Sequence, residues 1–380
     1  MKFLEIHAIR TLPPQAANRD EDGRPKSVRY GGVERARLSS QSQKRALRLA
    51  FREGNLLPPE ERAWRTRKLF GLLRERLPEV PEDLLEGAFR GLVKAMGAAT
   101  KGQDLEYLWF LGEPEVGRMA DLIRHHGEAL ARLDEEEEEE EERKGGKKPR
   151  KKAASKGDLP PEVLEEVASL LSAPSLEVAL FGRMLSDTAL AYGEVDGALA
   201  VAHALGVGAD PFEVDYFTAV DDYEGGAGHL QHAEFAPTTL YQYLVLDLSA
   251  LARTVGKERA LLGAESVLRA FPHALPRGKE RAFAHRVEPE AVLVRLGEGT
   301  PRNGAVLYRD PVEPPRVAEK AMELLAWGLA RMAEVYGEAA GEWRGAVALW
   351  PLEGLPLEGF SRYGELVGSA LERAARLLEE

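Results

Sequence analysis

The chain contains no cysteine. That absence excludes disulfides, thiolate metal sites and a cysteine nucleophile together. It also has no apolar run approaching the roughly 18 residues needed to span a bilayer. Met1 leads straight into a strand-like alternation, so the expectation is a cytoplasmic protein with no signal peptide and no membrane contact. A nucleotide-hydrolysing phosphate loop requires a glycine five residues before a Gly-Lys pair. At that spacing Gly146-Lys147, Gly256-Lys257 and Gly278-Lys279 have Glu141, Leu251 and His273, which argues against nucleotide hydrolysis. No internal repeat period is visible.

What is present is a charge contrast. The 380 residues carry a formal net charge of −12, with 44% hydrophobic and 30% charged residues, ordinary for a globular protein. Arg outnumbers Lys 36 to 15. Residues 1–52 hold twelve Lys/Arg against five Asp/Glu, a net of +7, which leaves −19 on the remainder. A basic patch on an acidic chain reads first as a polyanion site. Within it Tyr30-Gly31-Gly32 is a turn signal, and Ser39, Ser40, Gln41 and Ser42 offer side-chain oxygens to a helix start. In the helix expected over residues 43–52, Lys44, Arg48 and Arg52 recur every four residues with Arg45 beside them. Ala46, Leu47 and Ala50 fall roughly opposite, toward a core. Hydroxyls, amides and cations gathered at a helix N-terminus suit a phosphate backbone. The plainer reading is a solvated basic face.

At this length one large domain with insertions or two domains are expected. Residues 2–9 alternate as a strand. Residues 62–77 and 83–96 read as helices in what looks like a helical insertion. Asp134 and the eight glutamates that follow, then a lysine-rich tract to Lys156, read as an exposed flexible segment over 134–158, with phosphate contact by the lysines as the functional alternative. Helices are expected at 162–171, 317–336 and 365–379, and strands at 214–220, 240–248, 291–296 and 305–308. Leu240, Leu244, Leu246 and Leu248 against Tyr241, Tyr243 and Asp247 suggest a strand with one core face. The glycine-rich DDYEGGAGHLQHAEF at 221–235 reads as part of a projecting hairpin or loop. Strands separated by helices, with a long insertion, indicate an α+β or α/β sandwich.

The run NRD at 18–20, GG at 31–32 and RARLSSQSQKRALR at 35–48 resembles the N-terminus of CasC, the guide-RNA-holding backbone subunit of the type I-E CRISPR Cascade complex. The likeness continues in FGRML at 181–185, VAHA at 201–204, EVDYFTAVDDY at 213–223, GAGHL at 226–230 and RGKERAFAH at 277–285. Residues 56–173 match weakly, and nothing functional is carried onto them. The resemblance implies an α+β fold with an RNA-recognition-motif-like (ferredoxin-like) palm at residues 1–55 and 176–380. A helical finger domain would be inserted at 56–175, and a projecting thumb hairpin would lie at about 197–235. It implies a non-catalytic subunit that polymerises along crRNA, needs no cofactor, and presents the guide to target DNA in short segments. Implied partners are further copies of itself, guide-end capping subunits, a small subunit and a large subunit.

The candidate RNA-binding residues are Arg19, Lys26, Ser39, Ser40, Gln41, Lys44, Arg45 and Arg48, none of which carries a base code. Arg277, Lys279 and Arg281 form a second basic turn, whose plainer reading is an exposed loop. Met184 of FGRM is apolar enough to be core, but the resemblance implies that it wedges beside a displaced base. Asp221, Asp222, Tyr223, Gly226, His229 and Leu230 are the implied thumb residues. His229 and His232 with Asp221 or Asp222 are a weak metal constellation, and the adjacent His125-His126 pair is weaker still. Asp20 and Asp22 are the candidates if the chain instead cleaves RNA with a divalent metal. The remaining alternative is a stand-alone RNA-binding module.

Overall fold

The computed structural model describes residues 1–143, 159–184, 193–220, 223 and 227–380, with side chains described for all of these except 135–143 and 227–230. The chain opens with β1 (Lys2–Leu12), β2 (Ser27–Tyr30), β3 (Val33–Leu38) and α1 (Ser40–Glu53). The turn between β2 and β3 is Gly31-Gly32, at φ of 62° and 86°. Two successive positive φ values favour glycine, which has no Cβ to clash. There follow β4 (Ala63–Thr66), α2 (Leu69–Arg76), α3 (Glu82–Ala95), β5 (Thr100–Lys101), β6 (Asp104–Leu105), β7 (Trp109–Gly112), α4 (Glu113–Arg143), α5 (Pro161–Ser169) and α6 (Leu176–Phe181). The chain continues through β8 (Leu199–Val201), β9 (Ala204–Gly206), β10 (Glu213–Val220), β11 (Ala227–Phe235), β12 (Thr238–Asp247), α7 (Leu248–Val255), α8 (Lys257–Ala270) and α9 (Glu280–Phe283). It ends with β13 (Ala291–Glu298), α10 (Val317–Tyr336), β14 (Ala340–Ala348), β15 (Glu358–Gly359) and α11 (Tyr363–Glu379).

These elements make a mixed α+β protein of two compact units. The first is Met1–Leu56, Leu199–Arg253 and Lys257–Glu380, and the second is Leu57–Ala198 with Thr254–Gly256. The first unit is built on a sheet in the order β15-β14-β13-β1-β12-β9-β3-β2, with β8 also on β12. All its pairings are antiparallel except β14 with β15. Central β1 is buried on both faces. On one, Ile9, Tyr241, Tyr243 and Leu293 pack against Met322, Leu325 and Leu329 of α10. Tyr241 and Tyr243 are therefore buried like the leucines of β12, and the one-faced strand expected there has two core faces.

Glu5 and Arg10 of β1 each have specific partners, while Arg10 Nε and His7 Nε2 are buried without a hydrogen bond among the described residues. The Arg295 guanidinium lies 2.5 Å from the Glu5 carboxylate and binds Glu342 in two places, at 3.0 and 2.9 Å. Burial alone would raise the Glu342 pKa, but hydrogen bonds from Arg295, the Ala339 amide and Arg344 bring it down to about 2. Arg10 donates to the carbonyls of Val287 and Phe271, at 3.1 and 3.2 Å, and burial lowers its pKa to about 10.

The second unit is mainly helical. Leu69, Phe70 and Leu73 of α2, Phe89 and Leu92 of α3, Met119 and Ile123 of α4 and Val163 of α5 share one core. The helix expected over 62–77 begins only at Leu69, because the β-prone stretch Ala63–Thr66 pairs with β7. The segment 305–308 is a 3-10 turn rather than a strand, since the Asn303 side chain accepts from the Ala305 amide at 2.9 Å. The His125-His126 pair sits at a kink, with His126 at φ −128°. β8 and β9, within the expected thumb, join the main sheet, so the separate hairpin is only β10–β11. α6, beyond the expected end of the fingers at 175, belongs to the second unit. Residues 144–158 of the charge tract lie outside the described residues. No described helix is long and apolar enough to cross a membrane.

Candidate nucleic-acid interface

The basic stretch folds around the start of α1. Ser39 is the N-cap, at φ −68° and ψ 149°, and its hydroxyl accepts from the Ser42 amide at 3.3 Å. The helix therefore starts three residues earlier than periodicity suggests. Ser39 is 6% exposed and committed to this cap. Gln43, Ala46, Leu47, Ala50 and Phe51 are buried. With that face inward, Gln41 and Arg45 are exposed, while Ser40, Lys44 and Arg48 are half-buried. Burial pushes the Lys44 ammonium pKa down. An ammonium forgoing water without a carboxylate beside it favours an incoming anion.

Asn18 ties the preceding loop to this helix start. Its side chain accepts from the Ser39 amide at 2.8 Å, and its carbonyl accepts from the Lys26 amide at 2.9 Å. The Lys26 carbonyl in turn accepts from the Arg37 amide at 2.8 Å. Gln43 donates to the Ala202 carbonyl at 2.8 Å, bringing the β8–β9 junction alongside. There the Arg37 guanidinium donates to Nδ1 of His203 at 2.7 Å. Burial, then Arg37 and Lys26, lower the His203 pKa. Arg19, Lys26, Arg37, Lys44 and Arg45 all lack a carboxylate partner among the described residues.

The second basic turn lies beside this loop. The Gly278 amide donates to the Ala17 carbonyl at 3.1 Å, and a Cβ at Gly278 would collide with that carbonyl. Lys279 and Arg281 are exposed there and have no carboxylate partner among the described residues. Arg277 is instead bound by Glu53, with Glu280 3.7 Å away, and the Glu53 hydrogen bond raises its pKa. Arg24 of the loop reaches Glu234 of β11 at 3.1 Å.

Asp20 shapes the same loop, its carboxylate accepting from the amides of Asp22 at 3.0 Å and Arg24 at 2.9 Å. Among the described residues no three His, Asp or Glu side chains are grouped to hold a metal. The side chain of His229 lies outside the described residues, and the His232 ring lies 6.2 Å from that of Tyr216.

The hairpin β10–β11 is a two-stranded ladder of its own, every residue of β10 exposed, with Val214, Tyr216, Phe217 and Val220 among the exposed apolar groups. Tyr223 is exposed as well. Asp221, Asp222 and Gly226 lie outside the described residues, and only the backbones of His229 and Leu230 are described.

Met184 belongs to the second unit. It is 90% exposed and not core. Its neighbour Arg183 is buried, with Nη1 2.8 and 2.7 Å from the two Glu115 oxygens, and donates to the carbonyls of Gly193, Phe110 and Leu171. Gly182, at φ 80°, crosses Gly197 so closely that a Cβ would lie 2.8 Å from the Gly197 amide nitrogen. The FGRM motif thus spends its arginine and glycine on anchoring and leaves its methionine outside.

Sequence reasoning passed over Asn18, Arg37, Gln43 and His203 as site residues. Arg37 had a local signal, an arginine two positions before a helix cap. Asn18, Gln43 and His203 stand within the motifs quoted for the resemblance, but their partners lie 21 to 199 residues away and meet them only through the fold.

A family model described as CT1975-like protein matches residues 4–351. A solved structure titled "CRISPR RNA-guided surveillance complex, pre-nicking" contains a chain 29% identical, with a TM-score of 0.80, covering 98% of this chain and 100% of that one. Another, titled "CRISPR RNA-guided surveillance complex", gives 26% identity and a TM-score of 0.72, covering 97% and 99%. No curated protein matches. The family match contains every motif on which the resemblance to CasC rests, and the chain belongs to the CT1975-like protein family.

Proposed function

We propose that this chain is a subunit of a CRISPR RNA-guided surveillance complex and serves as its crRNA-holding backbone, of type I-E. The carrying observation is the set of carboxylate-free cations at the start of α1, on a chain of net charge −12. Arg19, Lys26, Arg37, Lys44 and Arg45 suit phosphates and carry no base-reading pattern, as a holder of variable guides requires. Lys279 and Arg281 extend the track.

In this reading the first unit is an RNA-recognition-type palm, the second the fingers, and β10–β11 a thumb that reaches a neighbouring copy. Met184 is the wedge beside a displaced base, where a polarizable thioether against an aromatic ring contributes about 0.3–1.5 kcal/mol without sequence preference. Copies stack along the guide in the cytoplasm, with capping, small and large subunits as partners and target DNA as the paired strand. The subunit is non-catalytic; Asp20 serves its own turn.

Co-expression with a guide RNA and the partner subunits tests the reading. The Lys44→Glu/Arg45→Glu variant is expected to fold and to purify without RNA; RNA retained at the wild-type level would refute the assignment.

A further inference from the structure

His203 sits among cations yet is poised to remain uncharged. An arginine has only donors, so the 2.7 Å contact between Arg37 Nη1 and His203 Nδ1 requires that Nδ1 be the acceptor. The ring proton of the neutral imidazole is then on Nε2. Arg37 is itself fixed, its amide bonded to the Lys26 carbonyl and its Nε 3.4 Å from the Ser27 carbonyl. The imidazole is exposed at the junction of β8 and β9, which Gln43 holds against the first turn of α1. Nε2 has no partner among the described residues.

Arg37 and Lys26 already supply charge for phosphate at this spot. A neutral N–H beside them adds direction rather than charge. Between two phosphates of a single strand, the group that accepts such a bond and separates ribose from deoxyribose is the 2′-hydroxyl. Building on the guide-binding function, we infer that His203, oriented by Arg37, donates from Nε2 to a ribose 2′-oxygen of the bound strand and selects RNA over DNA. Arg37 both orients the ring and, with Lys26, meets phosphate in this arrangement.

The test compares binding of labelled single-stranded RNA and DNA of one sequence to the full-length chain across a salt series. His203→Ala is expected to weaken RNA binding about two- to tenfold, the range of one lost hydrogen bond, and to leave DNA binding and the salt slope unchanged. His203→Gln, which keeps an N–H at the end of the side chain, is expected to restore part of the preference. Arg37→Gln is expected to reduce the salt slope for both strands by about 0.7, one phosphate's share, and also to lower the preference for RNA over DNA, because the His203 ring loses its orienting contact. Equal weakening of RNA and DNA by His203→Ala, or an unchanged RNA preference, would overturn the inference. A wild-type chain that binds no RNA would instead refute the proposed function. Thermal melting of each variant separates loss of binding from loss of fold.

Discussion

On the proposed guide-binding role, the five carboxylate-free cations around the start of α1 predict a definite salt response. Single-stranded binding loses about 0.7 in the log–log salt slope for each neutralised phosphate, so five contacts give a slope near −3.5. Replacing Lys44 and Arg45 by Gln removes two contacts and brings the slope to about −2.1. Across a fourfold rise in salt the wild type is then expected to lose affinity roughly 130-fold and the double variant roughly 18-fold. Gln is a comparable helix former, and neither side chain belongs to the buried face of Gln43, Ala46, Leu47, Ala50 and Phe51, so the fold is expected to survive. Anisotropy titrations with a short unstructured RNA at four salt concentrations give both slopes. Equal slopes would refute the assignment of these two side chains to phosphates, whatever the absolute affinities.

Three further outcomes follow from the geometry. Arg183→Ala leaves the buried Glu115 carboxylate uncompensated and is expected to destabilise the chain by about 3–5 kcal/mol in denaturant unfolding, with Glu115→Gln in the same chain recovering part of the loss. Glu342, held near a pKa of about 2 against an ordinary value of 4.5, stabilises the fold above that ordinary value; the contribution, about 3 kcal/mol, is lost as pH falls through about 2. Glu342→Gln is expected to flatten that part of the stability–pH curve. Replacing Tyr216 and Phe217 of the isolated hairpin by Ser is expected to shift stability by no more than about 0.5 kcal/mol while preventing multi-copy assembly, read by melting and by native mass.

Local chemistry made much of this architecture legible in the sequence. The 317–336 helix carries its own apolar period and matches α10 at both ends, and the strand at 291–296 lies within β13. The Ser39 region was readable as a helix start because short hydroxyl side chains compete for backbone amides. Where the expectations failed, tertiary partners decided. Ala63–Thr66 became a strand because β7 was there to pair with it. β8 and β9 left the expected thumb because β12 and β3 offered open edges. Arg277 looked equivalent to Lys279, but Glu53 binds it from 224 residues away. His203 stood in the VAHA motif, but its contact with Arg37, 166 residues distant, could not be read from the sequence.

The central claim is that this chain holds a guide RNA and multiplies along it. The most direct measurement is the native mass of the protein co-expressed with a guide RNA, before and after nuclease treatment. The account predicts a multi-copy particle containing one RNA and no such particle for the Lys44→Glu/Arg45→Glu variant; an RNA-free monomer from the wild type would contradict it.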